Sequence, residues 1–223
     1  MKRFCAAFAG LILAGCSAGN DMPSVELQVL DAARGAIASK TAPQTQRPKL
    51  TRAILDTLDV ASIEVTLERN DQLAYLFEDA KRRDGRAGKI TVWRTEDQVT
   101  LAMRNGVLIA TRGLDGGIIS SAVQVSGDAP GPSRGGERVQ YIRALDNKEI
   151  RLSMACEVVN LGPEQIVIVE RRHATRHVQE RCAGGGGTVV NDYWIDSRAG
   201  VVWQSRQWAG PNLGYLRIRQ LTN

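Results

Sequence analysis

The chain has 223 residues, 24% of them charged, with 29 Lys and Arg against 24 Asp and Glu, a formal net charge of +5 and only two histidines. So small a positive excess argues against a dedicated nucleic-acid protein, which carries a denser basic patch, but it leaves an acidic polysaccharide or an anionic surface as a partner. The length is enough for one hydrophobic core.

At the N-terminus, Met1-Lys2-Arg3 precede the apolar run Phe4 to Leu13, the charged and hydrophobic regions of an export signal. The run is shorter than the roughly 20 apolar residues that cross a bilayer, and polar Ser17, Asn20 and Asp21 follow it. The reading is a cleaved signal over 1–15. Its end, Leu13-Ala14-Gly15-Cys16-Ser17, resembles the lipobox of bacterial lipoproteins, whose cysteine is acylated, palmitate included. Acyl chains worth ~0.8 kcal/mol per buried methylene would then hold the protein on a membrane. Ser17 stands where an aspartate favours inner-membrane retention, which points to the periplasmic face of the outer membrane. Residues 16–23 form the tether and 24–223 a single domain.

Val25, Val29, Leu30, Ala33 and Ile37 recur at helical spacing, predicting a first helix. Pro43 and Pro48 mark 39–48 as a loop, and Ile54, Leu55 and Leu58 predict a second short helix over 50–58. The rest reads as strands. Ser62 to Glu68 alternates polar and apolar residues, and Lys89 to Trp93 and Gln98 to Met103 resemble it, whereas Leu73 to Phe77 is ambiguous. Asn105-Gly106 between two β-rich runs predicts a type I′ hairpin turn, because both residues tolerate positive φ. Further strands are expected at 118–125, 138–145, 149–158, 165–172 with an extension towards 180, 187–196, 201–208 and 214–221. The loop 126–136, with two prolines and four glycines, is the expected mobile segment. Regular strands with glycine turns indicate an antiparallel barrel or sandwich with a short helical N-terminal part.

Cys5 falls in the signal and Cys16 is the acylation site, leaving Cys156 and Cys182 for a disulfide in an oxidising compartment. The closed loop of about 26 residues is worth on the order of 3 kcal/mol. Among candidate chemical groups, His173 and His177 would share a helical face, but on a β-prone stretch they lie about 13 Å apart at about 3.3 Å per residue, too far for one metal ion. No Gly-x-Ser-x-Gly elbow is present. Asp192, Asp196, Glu157, Glu164 and Glu170 offer carboxylates for a hydrolase or lyase, without spacing that selects a pair. The Gly184 to Gly187 run lacks the Lys-Ser/Thr ending of a phosphate loop and reads as a flexible connector. No cofactor is implied.

Three of the four tryptophans crowd into Asn191-Asp192-Tyr193-Trp194-Ile195-Asp196 and Gly200-Val201-Val202-Trp203-Gln204-Ser205-Arg206-Gln207-Trp208. Aromatic rings beside arginines suit stacking on sugar rings and pairing with their carboxylates, so Tyr193, Trp194, Trp203, Arg206 and Trp208 are candidates for glycan or partner contact. The competing reading is that alternate rings face the core. This block, followed by Gly210-Pro211 and a last short strand, resembles the YjbF/GfcB lipoproteins of exopolysaccharide and group 4 capsule production. Asn105-Gly106 and Thr111-Arg112-Gly113-Leu114 resemble that family's hairpin and glycine turn, with Asp115 where a glycine is expected. The resemblance implies a mostly antiparallel, barrel-like domain and a non-enzymatic accessory of polysaccharide assembly or export, working beside export components. It carries no catalytic residues. A polysaccharide-modifying hydrolase or lyase and a structural envelope lipoprotein are the alternatives.

Overall fold

The computed structural model describes residues 50–144, 146 and 148–223. The signal, Cys16, the tether, the first helix and the proline loop all lie outside the described residues. The chain enters through one helical turn, α1 (Arg52–Leu55), capped by Thr51, whose Oγ1 accepts from the Ile54 amide at 3.4 Å. The predicted helix over 50–58 is therefore only four residues long. Leu55 and Leu58 still meet apolar neighbours.

Twelve strands follow: β1 (Ser62–Leu67), β2 (Gln72–Arg82), β3 (Ile90–Arg94), β4 (Thr100–Arg104), β5 (Val107–Arg112), β6 (Ile118–Ala122), β7 (Gly136–Arg143), β8 (Glu149–Ile168), β9 (Arg171–Gly184), β10 (Gly187–Asp196), β11 (Val201–Trp208) and β12 (Tyr215–Thr222). They form one antiparallel sheet in the order β5-β4-β3-β2-β1-β12-β11-β10-β9-β8-β7-β6. The end strands β5 and β6 come side by side, giving a nearly closed barrel. Near closure hides most sheet edge, which an open sheet of twelve strands would expose.

The register separates inside from outside. Ala74, Val65, Ile218, Ser205, Tyr193 and Val178 form one row across six strands, and Val65, Ile218, Tyr193 and Val178 are buried apolar residues of the lumen. One residue out of phase, Tyr75, Glu64, Arg219, Gln204, Trp194 and His177 form a row on the outer wall. The ambiguous run over 73–77 is thus strand, because its period-two phase fits Leu76 against Ile63.

Local turn chemistry explains the connections. Asn105 and Gly106 both take positive φ, +49° and +85°, in the predicted two-residue turn. A Cβ on Gly106 would also meet Val202 Cγ2 at 2.5 Å. Gly113 and Gly116 supply the left-handed positions between β5 and β6, which leaves Asp115 in an ordinary conformation. The expected flexible connector at 184–187 is instead a tight β9–β10 turn, with Gly185 and Gly186 at φ +60° and +85°.

The largest departure from the sequence reading is at β8 and β9. The expected strand 149–158 and the first half of 165–172 are one 20-residue strand, with Gly162-Pro163 absorbed at a bulge. The expected strand 165–172 is broken by a turn at Val169-Glu170, both at positive φ, and its last two residues with the extension towards 180 run back as β9. Neither residue is a turn former, so the reversal carries no sequence signal. Beyond the bulge this hairpin overruns β10 as an arm. Ile166 and Ile168 of the arm pack with Leu55 and Leu221, and against Trp194, Trp203 and Tyr75. Cys156 and Cys182 stand directly opposite on β8 and β9 and form a disulfide, with Cα atoms 3.9 Å apart.

Candidate functional site

The lumen contains a polar network as well as the apolar core. Arg138 on β7 pairs with Glu180 on β9 at 2.9 Å, both almost fully buried. Asn191 donates to Glu180 at 2.9 Å. The Tyr193 hydroxyl reaches Glu180 at 3.4 Å and Gln207 at 3.2 Å. Burial pushes the Tyr193 phenol well above its usual range, with Glu180 adding to the effect, so it stays a neutral donor. Gln207 crosses from β11 to the far side of the lumen, donating to Gly106 O at 2.9 Å and accepting from the Leu108 amide at 2.8 Å. One side-chain amide thereby satisfies a carbonyl and an amide at the edge of the barrel seam, as a neighbouring strand would.

The aromatic block divides between the two faces. Tyr193 is fully buried in the lumen, a correction to its expected place among contact residues, since it lies in phase with Val65 and Ile218. Trp194 stacks on His177 with centroids 4.6 Å apart, and Trp203 lies against His173 at 3.9 Å. Both tryptophans sit on the outer wall beneath the arm. Arg206 is held by both oxygens of Glu68, at 3.1 and 2.9 Å, and lies 3.6 Å from the Tyr215 ring centroid. Trp208 is half-buried on the same wall. Trp194 and Trp203 therefore hold the arm against the barrel.

Of the carboxylates noted in the sequence, only Glu164 and Asp192 are brought to a common partner. Glu164 approaches His177 Nδ1 at 3.3 Å, and Asp192 lies 2.9 Å from Nε2. Gln179 also donates to Asp192, at 3.0 Å. Asp196 accepts from the amides of Arg198 and Ala199 in the β10–β11 turn, Glu170 accepts from the Arg52 amide, and Glu157 is exposed on β8. Cys156, Cys182 and Glu180 converge within 4.8 Å, but the sulfurs are bonded to each other, so no thiolate is offered to a metal.

At one end of the lumen a cavity of about 420 Å³ opens, within the range of small-ligand sites and in the barrel mouth where such sites form. Its inner wall is apolar, from Ile63, Trp93, Met103 and Ile218. Ser205, which accepts from Gln207 at 2.9 Å, joins the cavity to the interior network. The rim is polar: Glu78, Lys81, Lys89, Asn105, Asp128 and Gln220. Glu78 pairs with Lys81 at 2.7 Å and Asp128 with Arg83 at 2.7 Å. The hydrogen bond from Arg83 lowers the Asp128 carboxyl below the usual range.

The loop expected to be mobile is tied into this rim. Asn105 Nδ2 donates to Gly127 O and Ala129 O at 2.9 Å, and the Gly131 amide donates to Asn105 O at 2.7 Å. None of the five aromatic and arginine candidates lines the cavity. The rim residues were missed in the sequence because they come from five separate segments. Two local signals were there to be read: the Lys81-Arg82-Arg83 run and the isolated Trp93.

Comparison with known proteins agrees with this architecture. The profile of the family described as group 4 capsule polysaccharide lipoprotein gfcB, YjbF, matches residues 9–221. Among solved structures, the hypothetical lipoprotein YmcC from Escherichia coli K12 is similar with a TM-score of 0.68 at 17% identity, over 92% of this chain and 98% of that one. An exported protein with a YmcC-like fold from Bacteroides fragilis is similar only at a TM-score of 0.36 and 11% identity, over 73% of this chain and 93% of that one. Among curated proteins none matches the chain. With its family profile covering nearly the whole chain, this protein belongs to the YjbF family of group 4 capsule polysaccharide lipoproteins.

Proposed function

We propose that the protein is a non-enzymatic, lipid-anchored accessory of capsular or extracellular polysaccharide assembly or export, acting from the periplasmic face of the outer membrane and holding glycan or an export component without cutting it. Family membership supports the link to capsule polysaccharide. Cys16 and Ser17 support the anchor and its membrane. The observation that carries the choice of holding over cutting is the state of the two rim carboxylates. A glycosidase needs one carboxyl held protonated as general acid, whereas Glu78 and Asp128 are each matched to a cation.

Deletion of the gene, with complementation by wild type or Cys16→Ala, tests this reading through the amount and chain length of secreted polysaccharide. The expected result is loss of secretion restored by wild type alone. Unchanged amount and length in the deletion would overturn the accessory role. A deletion that lengthens the chains, with Asp192→Asn reproducing the effect, would favour a hydrolase or lyase working at Glu164, His177 and Asp192.

A further inference from the structure

We propose that the barrel-mouth cavity is a binding site for an acidic saccharide, with the apolar wall of Trp93, Met103 and Ile218 against one face of a sugar ring and Lys89 receiving its carboxylate. This deepens the accessory reading and rests on it. A pyranose presents an apolar C–H face and a polar edge, and the cavity has both counterparts in one space, an apolar inner wall and a Gln220 and Lys89 rim.

Charge then selects the acidic sugar. The stretch 81–89, from the last two residues of β2 to the start of β3, contributes Lys81, Arg82, Arg83, Arg86 and Lys89 against one carboxylate, Asp84. Lys81 and Lys89, at the two ends of the segment, both line the cavity. Asp84 does not offset this excess at the mouth. It is taken by Arg104, with contacts of 2.9 and 2.5 Å, and the Arg104 hydrogen bond lowers its pKa to about 2. Lys81 and Arg83 are matched to Glu78 and Asp128. Arg82, Arg86 and Lys89 form no close ion pair with any carboxylate among the described residues. Of these three only Lys89 lines the cavity, and Arg82 and Arg86 add to the net positive charge of the same stretch, a field that concentrates anions near the mouth.

The test uses full-length protein in detergent micelles. The probe is short oligosaccharide fragments of the extracellular polysaccharide made by the same cells, before and after chemical reduction of their carboxyl groups to alcohols. Binding is read by tryptophan fluorescence and calorimetry. The expected result is binding of the native fragments, weakened about tenfold by carboxyl reduction and about tenfold by Lys89→Gln, and reduced by about 0.5 M salt. Lys148→Gln, an exposed cation outside the site, leaves affinity unchanged. Equal binding of native and reduced fragments, equal affinity of the Lys89 and Lys148 variants, or no binding at all would each overturn the proposal. If the deletion still loses secretion while fragments fail to bind, the saccharide site falls and the accessory role stands. Fragment binding with unchanged secretion gives the reverse.

Discussion

Replacing Gln207 by leucine tests how the barrel seam is held. The side chain accepts from the Leu108 amide and the Tyr193 hydroxyl and donates to Gly106 O and Ser205 Oγ, in surroundings where Leu108, Tyr193 and Ser205 are almost inaccessible to water. Leucine has nearly the same volume, so the change removes hydrogen bonding without opening a large cavity. Tyr193 retains Glu180 as a neighbour, and the Ser205 hydroxyl is free to turn. The Leu108 amide and Gly106 carbonyl lose their partner. At about 1–3 kcal/mol for each of these two stranded groups, the expected loss is about 2–6 kcal/mol, a large share of the roughly 5–15 kcal/mol of a typical domain. Urea unfolding followed by tryptophan fluorescence measures it, with Gln204→Leu on the outer wall of the same strand as the control, expected to cost under about 0.5 kcal/mol. A Gln207→Leu cost below about 1 kcal/mol, or one equal to the control, would show that the seam does not depend on this side chain.

Reduction of the Cys156–Cys182 bond, or Cys156→Ser with Cys182→Ser, is expected to lower stability by about 3 kcal/mol; urea midpoints with and without reductant check it, and an unchanged midpoint refutes it. Glu180→Ala strands buried Arg138 and is expected to cost about 3–5 kcal/mol, whereas adding Arg138→Met should recover part of that loss; additive costs in the double-mutant cycle would contradict the pairing. His173 holds its proton less tightly than usual because of burial, then the charges of Arg171 and Arg52, partly opposed by Asp196. The unfolded chain therefore binds a proton there more readily. This contribution to stability is complete above pH about 6.5 and is lost as pH falls below it. Unfolding at stepped pH should show a wild-type decline that is shallower in His173→Phe, and equal slopes would remove His173 as the cause.

Much of the barrel was legible locally. Period-two alternation located β1, β3 and β4 to within a residue or two, and Asn105-Gly106 specified its turn, because pleat and positive φ are short-range constraints. The β8–β9 arm was not legible. Gly162-Pro163 reads as a break when the partner strand that accommodates a bulge is unknown, and Val169-Glu170 takes positive φ without a residue type that favours it. Its reversal is selected by what the arm buries, Ile166 and Ile168 over Leu221 and the two tryptophans.

The candidate site divides in the same way. The clustering of Tyr193, Trp194 and Trp203 was plain in the sequence, and so was the alternative that some of these rings face inwards. Which ring faces which side depends on phase relative to β9 and β12, a relation that exists only after pairing. The mouth cavity joins Trp93 and Lys89 to Gln220 from the other end of the chain. What the sequence determined by itself was strand, turn, the Cys156–Cys182 pairing and a family; closure of twelve strands decided the lumen, the arm and the cavity, because those arise from contacts between residues that no local pattern connects.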